Sequence, residues 1–149
     1  MVAIKNIQQC INKYCKSNQD GINKLINSEA KKLEKDYNLI KTFNDVEKYY
    51  KSFLLITNNK IYKKQDKCEI KYCNKFINNL KDNLITPVIK PLFDILLPII
   101  KSLQKKPVYI DELTKDIDRL LALPVITRDD VMRLSFYMLL TSIIVSKGM

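Results

Sequence analysis

The residues with the most specific spacing in this chain are its four cysteines. Cys10 and Cys15 lie five apart in CINKYC, and Cys68 and Cys73 lie five apart in CEIKYC. Positions i and i+5 of an α-helix are about 140° apart, so neither pair can bridge within one continuous helix. Between two antiparallel helices the offsets match: Cys10 would pair with Cys73, and Cys15 with Cys68. Two such disulfides would contribute about 2–4 kcal/mol each and belong to an oxidising compartment. Reduced, partly buried thiols are the simpler expectation. A zinc site using all four fits worst, because each pair sits in a helical run without a glycine turn.

The second constellation is a lysine stripe. Lys60, Lys64, Lys67, Lys71 and Lys75 recur at spacings of 4, 3, 4 and 4, which puts them on one face of a helix. The apolar set Ile70, Cys73, Phe76, Ile77, Leu80 and Leu84 takes the opposite face. A ridge of this kind can follow phosphates or anionic lipid head groups, with steep salt dependence. Lysine supplies point charge without the planar fork that reads bases, so sequence-specific recognition is not expected. A solvated helix face in a lysine-rich protein is the plainer reading. With 23 Lys against 3 Arg and many Asn and Ile residues, the net charge of +10 is first of all what an AT-rich genome would encode.

Enzymatic chemistry finds few footholds. The chain has no histidine, which removes the commonest general base and the commonest metal ligand together. No glycine-rich phosphate loop and no Gly-x-Ser-x-Gly elbow is present. Carboxylate pairs such as Asp116 with Asp118 and Asp129 with Asp130 lack neighbours in sequence that would make them a site. A helix-turn-helix drawn through 113–134 would place an all-apolar recognition helix behind two aspartates, which phosphates would repel. The expectation is a protein with no catalytic residues, no metal and no cofactor.

The elements that would position these residues are helices. Only two glycines, no tryptophan and long stretches of 3.6-residue periodicity predict an all-α chain. Ile4, Ile7, Ile11 and Tyr14 make a narrow seam over Val2 to Cys15. A second helix is predicted over Ile22 to Lys41, and a third starting at Asn44 with Glu47 as its capping partner. A fourth covers roughly Asp66 to Ile85. Pro87 to Gln104 should form two short pieces with a kink near Pro98. Asp111 to Leu123 carries Leu113, Ile117, Leu120 and Leu121 on one face.

The last segment, Thr127 to Ser146, opens on a Thr127–Asp130 capping box and is apolar on every side. Such a helix is sunk either in a core or in a membrane. The uncharged run from Leu134 to Ser146 is 13 residues, short of the roughly 20 that a span requires, so a buried core helix with no transmembrane span is predicted. Lys147 and Gly148 suit its C-terminal end, and Ser135 and Ser142 a seam of small residues.

Together these features predict a single compact bundle of six to seven helices around the apolar C-terminal helix. Residues 1–83 (net +8) form a basic, amphipathic jacket, and residues 84–149 (net +2) the core-forming part of the same domain. The function that follows is a non-enzymatic helical interaction protein working through protein–protein contacts, of the kind met as a viral or parasite effector. Nucleic-acid or anionic-surface binding through the lysine stripe is the alternative, and carriage of an apolar ligand a further one. Another protein is the expected partner, and a second copy of the chain is a further candidate. The N-terminus lacks an apolar signal-peptide core, which favours the cytoplasm; paired cysteines would instead indicate secretion.

Overall fold

The computed structural model of the protein describes residues 19–57 and 81–148. The expected helix over Val2 to Cys15, all four cysteines, and Lys60, Lys64, Lys67, Lys71 and Lys75 lie outside these residues. Within them the chain is all-helical and no strand occurs. Five α-helices follow in order: α1 (Gln19–Lys35), α2 (Phe43–Thr57), α3 (Lys90–Ser102), α4 (Ile110–Leu121) and α5 (Arg128–Gly148). A 3-10 turn at Tyr37–Leu39 links α1 to α2, and wider π-type turns at Lys81–Ile89 lead into α3.

Helix α5 packs against each of the other four. Val131, Leu134, Phe136, Tyr137, Leu140 and Ile144 point to different sides of it, and all are buried. Leu33 of α1, Val46 and Phe53 of α2, Phe93 and Ile100 of α3, and Leu113, Ile117 and Leu120 of α4 close around them. Phe136 sits in an aromatic cluster, with ring centroids 5.7 Å from Tyr50, 5.5 Å from Phe53 and 6.3 Å from Tyr137. Those distances suit tilted ring contacts. Polar groups inside the helix are satisfied locally: Ser135 Oγ donates to the Val131 carbonyl and Thr141 Oγ1 to that of Met138.

The helix starts show which local signals govern. At α5, the Asp130 amide donates to Thr127 Oγ1 at 3.2 Å and the Thr127 amide to Asp130 Oδ2 at 3.0 Å, the reciprocal pair expected from sequence. At α2 the same Thr-x-x-Asp box recurs with Thr42 and Asp45, not with Asn44 and Glu47. The Lys41 and Thr42 amides hold the Asp45 carboxyl below its usual range, and Glu47 is left for another role.

Other boundaries also differ from expectation. Helix α1 ends at Lys35, and the 3-10 turn carries the chain on to Ile40. Pro98 does not break α3, which runs through it from Lys90 to Ser102. Both Pro98 and Asp94, whose carbonyl loses a donor there, face solvent, so water can replace the missing amide. The change in winding falls earlier, between the π-type turns and α3. Ser142 is exposed, so the small-residue seam reduces to Ser135. Gly148 belongs to the last turn of α5, and its use is close approach: a Cβ there would sit 2.8 Å from Leu103 Cδ1.

By length and composition Asp129–Gly148 is long and apolar enough to cross a membrane, contrary to the shorter uncharged count; 61% of its apolar window is buried against the rest of the chain. Replacing Phe136 by Ala should cost about 3–5 kcal/mol through the cavity it leaves. Thr127→Ala should cost only about 1 kcal/mol through the lost cap. Urea unfolding of both variants measures the difference, and similar losses would contradict a core centred on α5.

Candidate functional site

A recess of about 560 Å³ lies at the C-terminal end of α5. Three stretches of chain build it. From the turn after α1 come Tyr37, Ile40 and Lys41; from the α3–α4 loop come Lys105, Lys106 and Tyr109; from α5 come Ile144 and Lys147. Backbone contacts fix each. The Ile40 amide donates to the Tyr37 carbonyl at 3.1 Å, and the Lys41 amide to Asp45 Oδ2 at 2.9 Å. The Ile110 amide donates to the Pro107 carbonyl at 3.1 Å, folding the loop back as it enters α4. Gly148 lets Leu103 press onto the end of α5, which carries Lys105 and Lys106 toward Lys147.

Four lysines line this recess and no carboxylate does among the described residues. All four side chains are exposed at the rim and none forms an ion pair among those residues. One exposed apolar side chain lines the recess with them, Val108, which is 89% exposed. Deeper in, Tyr109 and Ile144 are each 1% exposed. Tyr109 Oη is buried and makes no hydrogen bond. The neighbouring phenol is Tyr37, whose oxygen favours the protonated form of Tyr109 and is the acceptor nearest to hand for it. Burial, and then Tyr37, push the Tyr109 phenol well above its usual range, so it keeps its proton and remains a donor.

A second polar cluster joins α2, α4 and α5. Arg133 makes a two-pronged contact with Glu47, Nη1 to Oε1 at 2.5 Å and Nη2 to Oε2 at 3.2 Å. It also donates to Tyr137 Oη at 2.9 Å, and that hydroxyl in turn donates to Asp116 Oδ2. Arg119 Nε holds the other Asp116 oxygen at 2.8 Å. The Arg133 guanidinium lies over the Tyr50 ring, 4.2 Å from its centroid. Burial works against the Arg133 charge, but the bonds to Glu47 and Tyr137 outweigh it and raise its pKa. Burial also pushes Tyr50 up to about 12 and, with Asp116, raises Tyr137. Neither phenol can therefore act as a base near neutral pH.

These residues were not expected from sequence. Asp116 reads there as a solvated carboxylate and Glu47 as a cap; the fold makes both partners of Arg133. One signal was available: a lone arginine inside an apolar helix needs a carboxylate once it is enclosed. The shallow recess of about 450 Å³ beside the cluster is lined by Glu47, Glu112 and Asp116 against Lys115, Arg119 and Arg133, so its charges balance. Among the described residues no group of three His, Cys, Asp or Glu is placed to hold a metal ion.

The two places thus differ in kind: a neutralised clamp between helices, and an open recess lined, among the described residues, by lysines without a carboxylate. What they define is an all-helical protein with a basic recess. Comparison with known protein families, with curated proteins and with solved structures gives no match for this chain.

If the clamp holds helices together, a double-mutant cycle of Glu47→Gln and Arg133→Met should return a coupling of about 1.5–3 kcal/mol. The same cycle on Asp116 and Arg119, whose arginine is mostly exposed, should return under about 1 kcal/mol. Denaturant unfolding of the variants checks both values.

Proposed function

We propose that this protein is a non-enzymatic helical interaction protein that captures an acidic, partly apolar segment of a partner protein in the lysine-lined recess. The observation that carries this reading is that Lys41, Lys105, Lys106 and Lys147 line one concavity with no carboxylate beside them among the described residues. Charges of one sign focused in a cleft attract and orient the opposite sign. Val108 at its edge supplies apolar contact, which charge alone does not give. The shape favours a segment that protrudes into the protein. A nucleic-acid duplex would call instead for charge laid out along a track. The tyrosines of the clamp are protonated and its ionised groups engage one another, which leaves no nucleophile or base there.

A fluorescently labelled peptide alternating Glu and Leu is the direct probe. It should bind at low salt and weaken as salt rises toward 0.5 M, while its Lys-for-Glu counterpart should not bind. Lys41→Glu, Lys105→Glu and Lys147→Glu combined should weaken it at least about tenfold with the helical circular dichroism unchanged. Equal affinity before and after that charge reversal would refute the reading. So would tighter binding of a random DNA duplex through the same lysines.

A further inference from the structure

We infer that the outer face of α3 is a contact surface for a second copy of this chain, packed antiparallel about a two-fold axis through the middle of the helix. None of its residues lines the recess, so this goes beyond the capture of a partner segment there. Three observations support it.

First, the face is apolar where that of a neighbouring helix is charged. The outward positions of α4 carry Asp111, Glu112, Lys115, Asp118 and Arg119, all exposed. On α3 the exposed positions opposite Phe93 and Ile100 are Pro91, Ile95, Pro98 and Ser102, and Ile95 is 62% exposed. The half-buried Leu92 and Ile99 extend this stripe along one side. A solvent-facing stripe without a charge marks an interaction surface. Covering it costs little: proline rings lose no rotamer freedom on burial, and Ser102 Oγ already donates to the Ile99 carbonyl at 2.8 Å.

Second, the spacing is self-complementary. The steps from Pro91 to Ile95, Pro98 and Ser102 are 4, 3 and 4, the same read in either direction. A two-fold axis midway therefore sets Ile95 against Pro98 of the second copy, and Pro91 against its Ser102.

Third, the charges beside the stripe agree with that symmetry. Asp94 and Lys101 are exposed on the side away from Leu92 and Ile99, and neither is ion-paired with another described residue. In a two-fold contact like sides meet, so Asp94 falls within about 3 Å along the axis of the other copy's Lys101, and the reverse pair forms too. Lys90 lies about 40° further round the helix than Asp94, away from the seam. On the opposite side Leu92 and Ile99 meet in the same crossed way.

One helix face about 20 Å long is a small interface, so association should be half complete on the order of tens of micromolar. Analytical ultracentrifugation of the whole chain over about 5–500 µM, in about 0.15 M salt, tests this. The mass should rise from one chain to two and stop there. Ile95→Asp should leave a monomer throughout, with the unfolding temperature of the dilute protein unchanged. Asp94→Lys and Lys101→Asp should each weaken the dimer at least about tenfold, and both together in one chain should restore it. The two positions are too far apart along their own helix to compensate each other, so restoration requires a second copy. A chain monomeric at every concentration, a mass growing past two chains, or a dimer untouched by Ile95→Asp overturns the inference. Failure of the double exchange to restore the dimer does so as well. A lowered unfolding temperature of dilute Ile95→Asp would show a face already covered within the chain, with the same consequence.

Discussion

The structure depends on one constraint: α5 carries large apolar side chains over most of its circumference, and the positions it leaves exposed between its first turn and Lys147, Ser142 and Ser146, are small and polar. Val131, Leu134, Phe136, Tyr137, Leu140 and Ile144 project around its circumference, and every one is buried. An ordinary amphipathic helix needs one neighbour, but this one needs neighbours all round. Each of the other four α-helices packs against it. The burial of a side chain such as Phe136 stabilises the fold by about 1.5–3 kcal/mol, so a helix with this many such residues dominates the choice of arrangement.

Enclosing a helix on all sides creates a difficulty wherever it carries a polar group. Hydroxyls are easily accommodated, because Ser135 and Thr141 bond back to carbonyls of their own helix. Arg133 cannot be satisfied that way. Its charge reaches Glu47 on α2 and, through Tyr137, Asp116 on α4, so one residue fixes the rotation of three helices relative to each other. An apolar contact tolerates sliding far better than a two-pronged ion pair does. The clamp therefore adds register to a core that hydrophobicity alone would leave loosely specified, a role for which buried ionic groups have some precedent.

How far the sequence revealed this follows from which interactions are local. The all-α class, the buried positions of α4 and the Thr127–Asp130 cap are properties of residues within a few positions of one another, and all could be read off. The start of α2 could not, because Asn44–Glu47 and Thr42–Asp45 are both acceptable capping pairs, and a residue 86 positions away claims Glu47. The recess was invisible for a similar reason. Lys41, Lys105 with Lys106, and Lys147 are unremarkable singly in a chain with 23 lysines, and only the chain path brings them together. The periodic stripe drew attention because periodicity is a local pattern; a site assembled from two loops and a helix end has none.

The recess forms where the enclosure of α5 comes to an end. At Gly148 the helix stops, its neighbours are represented by loops, and Leu103 fits against the glycine. Some positive charge is expected there on general grounds, since a helix C-terminus carries the equivalent of about half a negative charge. That charge accounts for Lys147, the basic residue of the last turn. It does not account for Lys41, Lys105 and Lys106 as well, which overcompensate it several-fold and repel one another across the recess. Self-repulsion of this sort lowers stability and brings nothing to the core. Acidic groups entering from outside would relieve that repulsion, which is the physical sense of proposing an acidic partner for this end of the helix.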